Sequence, residues 1–367
     1  MKKTRLNEVH KALKAKMVEF ADYEMPIQYP EGIIHEHNIV RNKVGVFDVS
    51  HMGEFEIEGK DALAYVQKMT VNDASKLKPG DIQYSAMCYN DGGIVDDLLV
   101  YNLGDNKYMF VVNASNIDKD FDWCKENKEG FDIDLKTISD DITLLAVQGP
   151  DSREVLQPLT DEDLSEDALP FYNFKEGKLA GADMIISRTG YTGELGYELY
   201  FKGDEETARR VWNKIFEQGE SKGIEPVGLG ARDTLRLEKG FNLYGNDIDK
   251  DHNTIQARMG WATKVDKDAD FNGKEAIIKV KEEKPQEVLR GFIINADRFV
   301  PRKGYQIMKD GKEIGYVTSG NMSPTLGKPI AMGYVQRPYR DFGNEVEIIA
   351  RGNRKASAEI VKPPFIK

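Results

Sequence analysis

Apolar residues recur every three or four positions near the start of the chain: Leu6, Val9, Leu13, Met17 and Phe20. That period predicts one amphipathic helix through "LNEVHKALKAKMVEF". A second helical stretch lies within residues 32–49. Alternation takes over at Phe47, Val49, Phe55 and Ile57, strand material on either side of "SHMGE". "DALAYVQKMT" reads as a short helix. "IQYSAMCYN" and "IVDDLLVYN" are joined by Asp91-Gly92-Gly93, a hairpin signal. "YMFVVNAS", "ITLLAVQGP" and "DMIISRTGYTGELGYELYF" supply further strands, and "NIDKDFDWCKEN" a helix. Residues 205–222 predict a helix with Ala208, Val211, Trp212 and Ile215 on one face. "ARDTLRLEKG" predicts another, stopped at Gly240. Helices and strands interleave, which is an α+β pattern. Residues 265–287 are highly charged and close with Pro285, so they read as a junction. After them, "RGFIIN", "YQIMKDGKEIGYV", "IAMGYV" and "EVEIIARGNRKASAEIV" are short strands between turns, the pattern of a small antiparallel barrel or sandwich.

One of these strands carries an anomaly. In "GGIVDDLLVYN", alternation puts Asp96 with Ile94, Leu98 and Val100, and Asp97 with Val95, Leu99 and Tyr101. Neither face can be apolar without holding a carboxylate, and an unpartnered buried carboxylate costs several kcal/mol or more. At least one of the pair therefore needs a partner, a pocket or an open end of the sheet.

The bulk composition narrows the class. At 367 residues the chain is long enough for two or three domains, and its 31% charged content fits a water-exposed globular surface. With 51 basic against 62 acidic side chains, a net charge of −11, it lacks the basic excess that nonspecific phosphate binding requires, so nucleic acid is not an expected partner. Two cysteines, Cys88 and Cys124, do not make a disulfide framework. No apolar signal region follows Lys2 and Lys3, and no run approaches the roughly 18 apolar residues of a membrane span. A cytoplasmic protein without a membrane partner is the expectation.

Three local motifs suggest chemistry that their details argue against. "HEH" at His35–His37 offers two histidines that diverge on a helix with no third ligand nearby, so it reads as a solvated face. "DKDADFNG" from Asp266 has Phe271 where a calcium loop needs Gly and Ile277 where it needs Glu. No metal is expected. "GLGARD" from Gly228 lacks the third glycine of a dinucleotide fingerprint and reads as a packed helix start.

Three polar positions remain: the Asp96/Asp97 pair; Glu198, inside the apolar strand of "GYELYF" after glycines 190, 193 and 196 that admit backbone or a ligand; and Arg232, one turn into a helix beside Asp233. Glu198 as a paired structural glutamate and Arg232 as half of a structural ion pair both stay open. Tyr84, Tyr101, Tyr191 and Tyr244 lie in or near these segments. A strand carboxylate can accept two parallel N–H donors from a flat heterocycle, tyrosines can cover its faces, and an arginine can hold a distant carboxylate. A pterin with an aminobenzoyl-glutamate tail has all three features.

The motifs also carry a resemblance. "FDVSHMGEFEI", "GGIVDDLLVYN", "AVQGP", "SRTGYTGELGYEL", "GLGARDTLRLEKGFNLYGND" and "TSGNMSPTLGKPIAMGYV" resemble, in order, the T-protein of the glycine cleavage system, an aminomethyltransferase that uses tetrahydrofolate. The resemblance spans essentially the whole chain. It implies an α+β cloverleaf of three domains around a central folate channel, with a C-terminal antiparallel β-barrel. The folate-binding region would be residues 1–275, its first subdomain discontinuous and its second inserted at about 52–140, and the barrel residues 285–367. Asp97 would sit beside the reacting nitrogens of folate and Glu198 would hold the pterin. Arg232 would belong to the folate and substrate site, with Met52, Tyr84, Tyr101, Asn113, Tyr191 and Tyr244 around it. Arg302 would act at the active centre from the barrel. The implied partner is a lipoylated H-protein, whose aminomethyl group passes to tetrahydrofolate to give 5,10-methylenetetrahydrofolate and ammonia. Two alternatives stand beside this: a folate-dependent demethylase of a small sulfonium or methylamine, and a non-enzymatic folate-binding protein. The second carries a cysteine motif where this chain reads "KGFNLYG".

Overall fold

A computed structural model of the chain describes residues 1–296 and 298–367. The chain divides into two compact units. The first comprises Met1–Val66, Ala74–Gln83 and Leu98–Asp233; the second comprises Gln67–Asp73, Tyr84–Asp97 and Thr234–Lys367.

The first unit holds a six-stranded sheet in the order Phe174–Leu179, Ala182–Ser187, Gly196–Lys202, Ile142–Gln148, Gly45–Asp48, Glu225–Pro226. All pairs are antiparallel except the last. The strand Ile142–Gln148 is buried at every position, which explains its unbroken apolar run. The helix Glu205–Gly219 covers one face, with Ala208, Val211, Trp212 and Ile215 in the same core as Val46, Leu145, Val147 and Leu199. Asp204 starts that helix by accepting the Thr207 N–H at 2.9 Å. A second group of strands pairs Gly53–Glu58 antiparallel with both Lys107–Val112 and Asp134–Thr137.

Two local expectations fail in this unit. The N-terminal helix covers only Asn7–Ala12. Lys14 turns left-handed at φ 60°, and Lys16–Phe20 continues as a strand paired with Tyr23–Gln28. The three-to-four spacing ran across a turn, and Met17 and Phe20 belong to a hairpin. Nor is "HEH" a solvated face, since Glu36 and His37 are both buried. Glu36 accepts the backbone N–H of Tyr29 at 2.5 Å and of Gly228 at 2.8 Å, while His35 meets Glu225 at 2.7 Å. The close packing expected at Gly228 is there, for a Cβ would lie 2.5 Å from the Ile27 carbonyl.

The second unit is built around the closed antiparallel barrel anticipated from the turn spacing. Its strands run Glu287–Ile294, Lys328–Gln336, Lys312–Ser323, Gln306–Lys309, Glu345–Ile349, Lys355–Val361 and back to the first. Closure leaves no free edge. Inward residues including Phe292, Ile307, Val317, Val335, Ile348 and Ile360 fill it. The stretch read as a junction is folded: it contains the helix Lys274–Glu283 and buries Phe271 and Ile277. Lys267 is buried too, and its ammonium donates to the carbonyls of Gln67, Thr70 and Asn72 at 2.8, 2.6 and 2.9 Å. Burial pulls the Lys267 pKa down to about 7, and the carbonyls that accept from its nitrogen make it a structural clasp. Also in this unit, Asp91-Gly92-Gly93 turns the expected hairpin, with Gly92 at φ 90°. A Cβ on Gly93 would fall 1.9 Å from the Lys250 carbonyl oxygen.

Candidate functional site

Each unit gathers some of the residues singled out above. In the first, Glu198 lies on the strand Gly196–Lys202, its register fixed opposite Ser187 on one side and Ala146 on the other. It is 7% exposed. Thr189 Oγ1 donates to Glu198 Oε2 at 2.5 Å. Behind Thr189 runs a chain of hydroxyls: Ser187 at 2.7 Å, then Tyr101 at 2.9 Å, then Tyr200 at 3.0 Å. Thr189 donates to the carboxylate, and Tyr200 at the far end of the chain also hydrogen-bonds Glu198, so the hydroxyls close a network around it. Burial raises the Glu198 pKa, while Thr189, Arg232 and Tyr200 pull it back down. Tyr101 is fully buried within this relay.

Arg232, in the helix Leu229–Lys239, places its guanidinium 4.6 Å over the Tyr191 ring. Burial lowers its pKa, and the neighbouring Glu198 and Tyr191 oppose that. The loop between Ser187 and Gly196 is held rigidly. Arg41 donates to the Thr192 carbonyl at 2.6 Å and to Glu194 at 2.8 Å. Glycines 190 and 196 make room for a side chain of the protein, not for a ligand: a Cβ on either would lie 2.1 or 2.2 Å from the Gln148 amide. That amide donates to the Thr189 carbonyl at 3.1 Å and accepts from Thr192 Oγ1 at 2.8 Å, which locks the loop that presents Thr189. Met52 and Asn113 are half-buried, at the ends of the paired strands Gly53–Glu58 and Lys107–Val112.

In the second unit, the two aspartates divide as the alternation requires. Asp96 is wholly buried, and Asp97 is partly open. Tyr84 Oη donates to Asp97 Oδ2 at 2.8 Å, and its ring stacks on Trp261 at 5.7 Å and 14°. Trp261 is 64% exposed, a large aromatic ring open to solvent over Tyr84. Tyr244 Oη donates to the Ile94 carbonyl at 3.2 Å. Arg302 is exposed and donates to the Gly320 carbonyl at 3.1 Å.

Sequence reasoning passed over Thr189, Ser187, Tyr200 and Trp261. Ser187 and Tyr200 sit among apolar strand residues and Thr189 in the glycine-rich loop between them, and none carries a spacing signal. Trp261 followed a glycine in a loop, where a single aromatic is unremarkable. Among the described residues no group of three or more His, Cys, Asp or Glu is placed to hold a metal ion, and no helix is long and apolar enough to cross a membrane. Cys88 and Cys124 are buried free thiols, and burial pushes Cys124 up to about 12.

Comparison with known proteins gives this geometry its context. The family model for the GCVT N-terminal domain matches residues 6–267, and that for the glycine cleavage T-protein C-terminal barrel domain matches residues 288–367. An aminomethyltransferase of Halothermothrix orenii is 51% identical over 366 residues, covering all of both chains. One from Bacteroides thetaiotaomicron is 52% identical over 370 residues, again covering all of both. The crystal structure of the glycine cleavage system aminomethyltransferase T from Bartonella henselae superposes with a TM-score of 0.91 at 34% identity, covering 100% of this chain and 98% of that one. The chain belongs to the glycine cleavage T-protein family of aminomethyltransferases.

Proposed function

We propose that the one-carbon acceptor is tetrahydrofolate and the donor an aminomethyl group on the dihydrolipoyl arm of an H-protein. The observation that supports this most directly is Glu198: a buried carboxylate, reinforced by a hydroxyl relay, with one oxygen free of the Thr189 bond. A rigid acceptor pair of that kind suits two parallel N–H donors on a pterin edge. Arg232, beside Tyr191, is the candidate for the folate and substrate site, with Met52 and Asn113 among the lining residues. Tyr101 contributes through the relay that orients Glu198.

The reaction asks for positioning first. N5 of the folate attacks the methylene carbon as its bond to the amino nitrogen breaks, and ammonia leaves; N10 then displaces the dihydrolipoyl sulfur and loses its proton. Positive charge develops on the methylene in transit. Asp97, half-buried and held by Tyr84, supplies a fixed anion for that charge or for the N10 proton. Tyr244 lines the same unit's part, and Arg302 is a candidate contact for the donor. Residues 1–275 would form the folate-binding region and 285–367 the accessory barrel.

An assay for methylenetetrahydrofolate with aminomethylated H-protein tests the reading. Turnover that depends on both is expected. No turnover there, with turnover on a sulfonium or methylamine donor, overturns it.

A further inference from the structure

The strand Gly53–Glu58 carries three glutamates on one face: Glu54, Glu56 and Glu58. Lys107 pairs with the second at 3.0 Å and the third at 3.9 Å. The first has no such help. Glu54 is 1% exposed, and neither carboxyl oxygen has a hydrogen-bond partner among the described residues. Its backbone is fully used, donating to Ser139 Oγ and accepting from the Ile138 N–H, both at 2.9 Å. Only the side chain is left over. The titratable groups around that side chain are Glu198 and Tyr200 from one strand and Tyr23 from another. Tyr23 also meets His51 edge-on at 6.5 Å, and the Nδ1 of His51 is a second buried atom without a partner. Two orphaned polar groups thus lie three residues apart in "HMGE", and Glu54 feels the charge of Glu198.

We propose that Glu54 is a second ligand-facing carboxyl of the Glu198 site, donating a hydrogen bond to an acceptor atom on the edge of the heterocycle that Glu198 holds. This rests on the folate reading given above and adds a specificity contact to it. A buried carboxyl with no partner is costly to keep unless something fills the gap. Among the described residues no cation pairs with Glu54: the guanidinium of Arg232 in this neighbourhood acts on Glu198, Tyr191 and Tyr200. Lys107 serves Glu56 and Glu58, and burial, then the nearby Arg232, hold the His51 pKa at about 4, so its ring is neutral. Burial, and then the charge of Glu198, drive the Glu54 pKa well above the usual carboxyl value. Two neighbouring carboxyls pushed apart in this way take opposite roles: the ionised one accepts and the protonated one donates. A pterin edge presents donors and an acceptor side by side, which is the pattern such a pair reads.

The test is tetrahydrofolate binding by calorimetry across pH, on full-length wild type, E54L and E54Q. Wild type should show a bell: weak in acid where Glu198 is protonated, and weak in alkali where Glu54 ionises. E54L should bind about tenfold or more weakly at neutral pH while melting no lower than wild type, because an unsatisfied buried carboxyl has been replaced by hydrocarbon. E54Q keeps a donor, so it should bind within about threefold of wild type at neutral pH and lose the alkaline limb. Binding by E54L within about twofold of wild type, or an E54Q alkaline limb identical to wild type, overturns the proposal and leaves a water-filled gap as the account of Glu54. Wild type that does not bind tetrahydrofolate at all overturns the folate reading instead.

Discussion

Replacing Thr189 with valine tests whether the hydroxyl relay makes Glu198 a binding group. The substitution keeps the shape of the side chain and deletes one O–H. What it removes is a 2.5 Å hydrogen bond to a buried carboxylate. A hydrogen bond to a charged group is worth about 1.5–3 kcal/mol, and the short distance and burial place this one toward the upper part of that range. If the bond is needed to hold Glu198 ionised and aimed, tetrahydrofolate affinity should fall by roughly 10- to 100-fold, since each 1.4 kcal/mol is a factor of ten. There is a second signature with a definite sign. Burial raises the Glu198 pKa and Thr189 lowers it, so the valine variant must carry a still higher pKa. Its lost affinity should therefore be partly restored as pH rises. The assay is calorimetric titration at several pH values, with thermal melts to show that the fold persists. Ser187→Ala, one link further back, should cost less. An unchanged dissociation constant for Thr189→Val, or a loss that does not respond to pH, would refute the idea that the relay tunes Glu198.

Other consequences are open to measurement. Asp97→Asn should fold, bind tetrahydrofolate nearly normally and lose about 10²-fold in turnover, while Asp96→Asn, at a wholly buried position, should lower the melting temperature more than the rate; single-turnover kinetics and melting curves on both variants decide it. Lys267→Met should destabilise the second unit by about 3 kcal/mol or more, because it strands the carbonyls of Gln67, Thr70 and Asn72 that the ammonium now satisfies; urea unfolding reads this directly. Burial alone would lower the pKa of His252, but Glu287 and Asp249 raise it above 6.5. Its contribution to stability is complete below that unfolded value and is lost as pH climbs through the raised folded one. Wild type should thus lose stability on alkaline titration through this window, and His252→Gln should show less of that slope; equal slopes would sink the assignment.

Much of the candidate site was legible in the residues themselves. Asp96, Asp97, Glu198 and Arg232 stood out because each sits where an apolar strand or packed helix should carry no charge. The cost of burying a charge makes such positions visible in one dimension. The barrel was legible for a related reason, since turn residues at short intervals between alternating strands leave few other architectures.

What escaped the sequence was decided by contacts between residues far apart in the chain. Hydrophobic period is a local signal, so it ran straight through the turn at Lys14 and joined a helix to a hairpin. Charge count is local too, so it read residues 265–287 as a junction, although Lys267 finds its carbonyl acceptors about 200 residues earlier. The glycines of "TGYTGELG" looked like openings for a ligand, and tertiary structure fills two of them with Gln148. Glu54 is the sharpest instance. In the sequence it is one of three alternating glutamates on a strand; only the fold buries it, withholds Lys107 from it and brings it near Glu198. Sequence reveals which groups are expensive to bury. Three-dimensional packing alone determines which of them are given a partner.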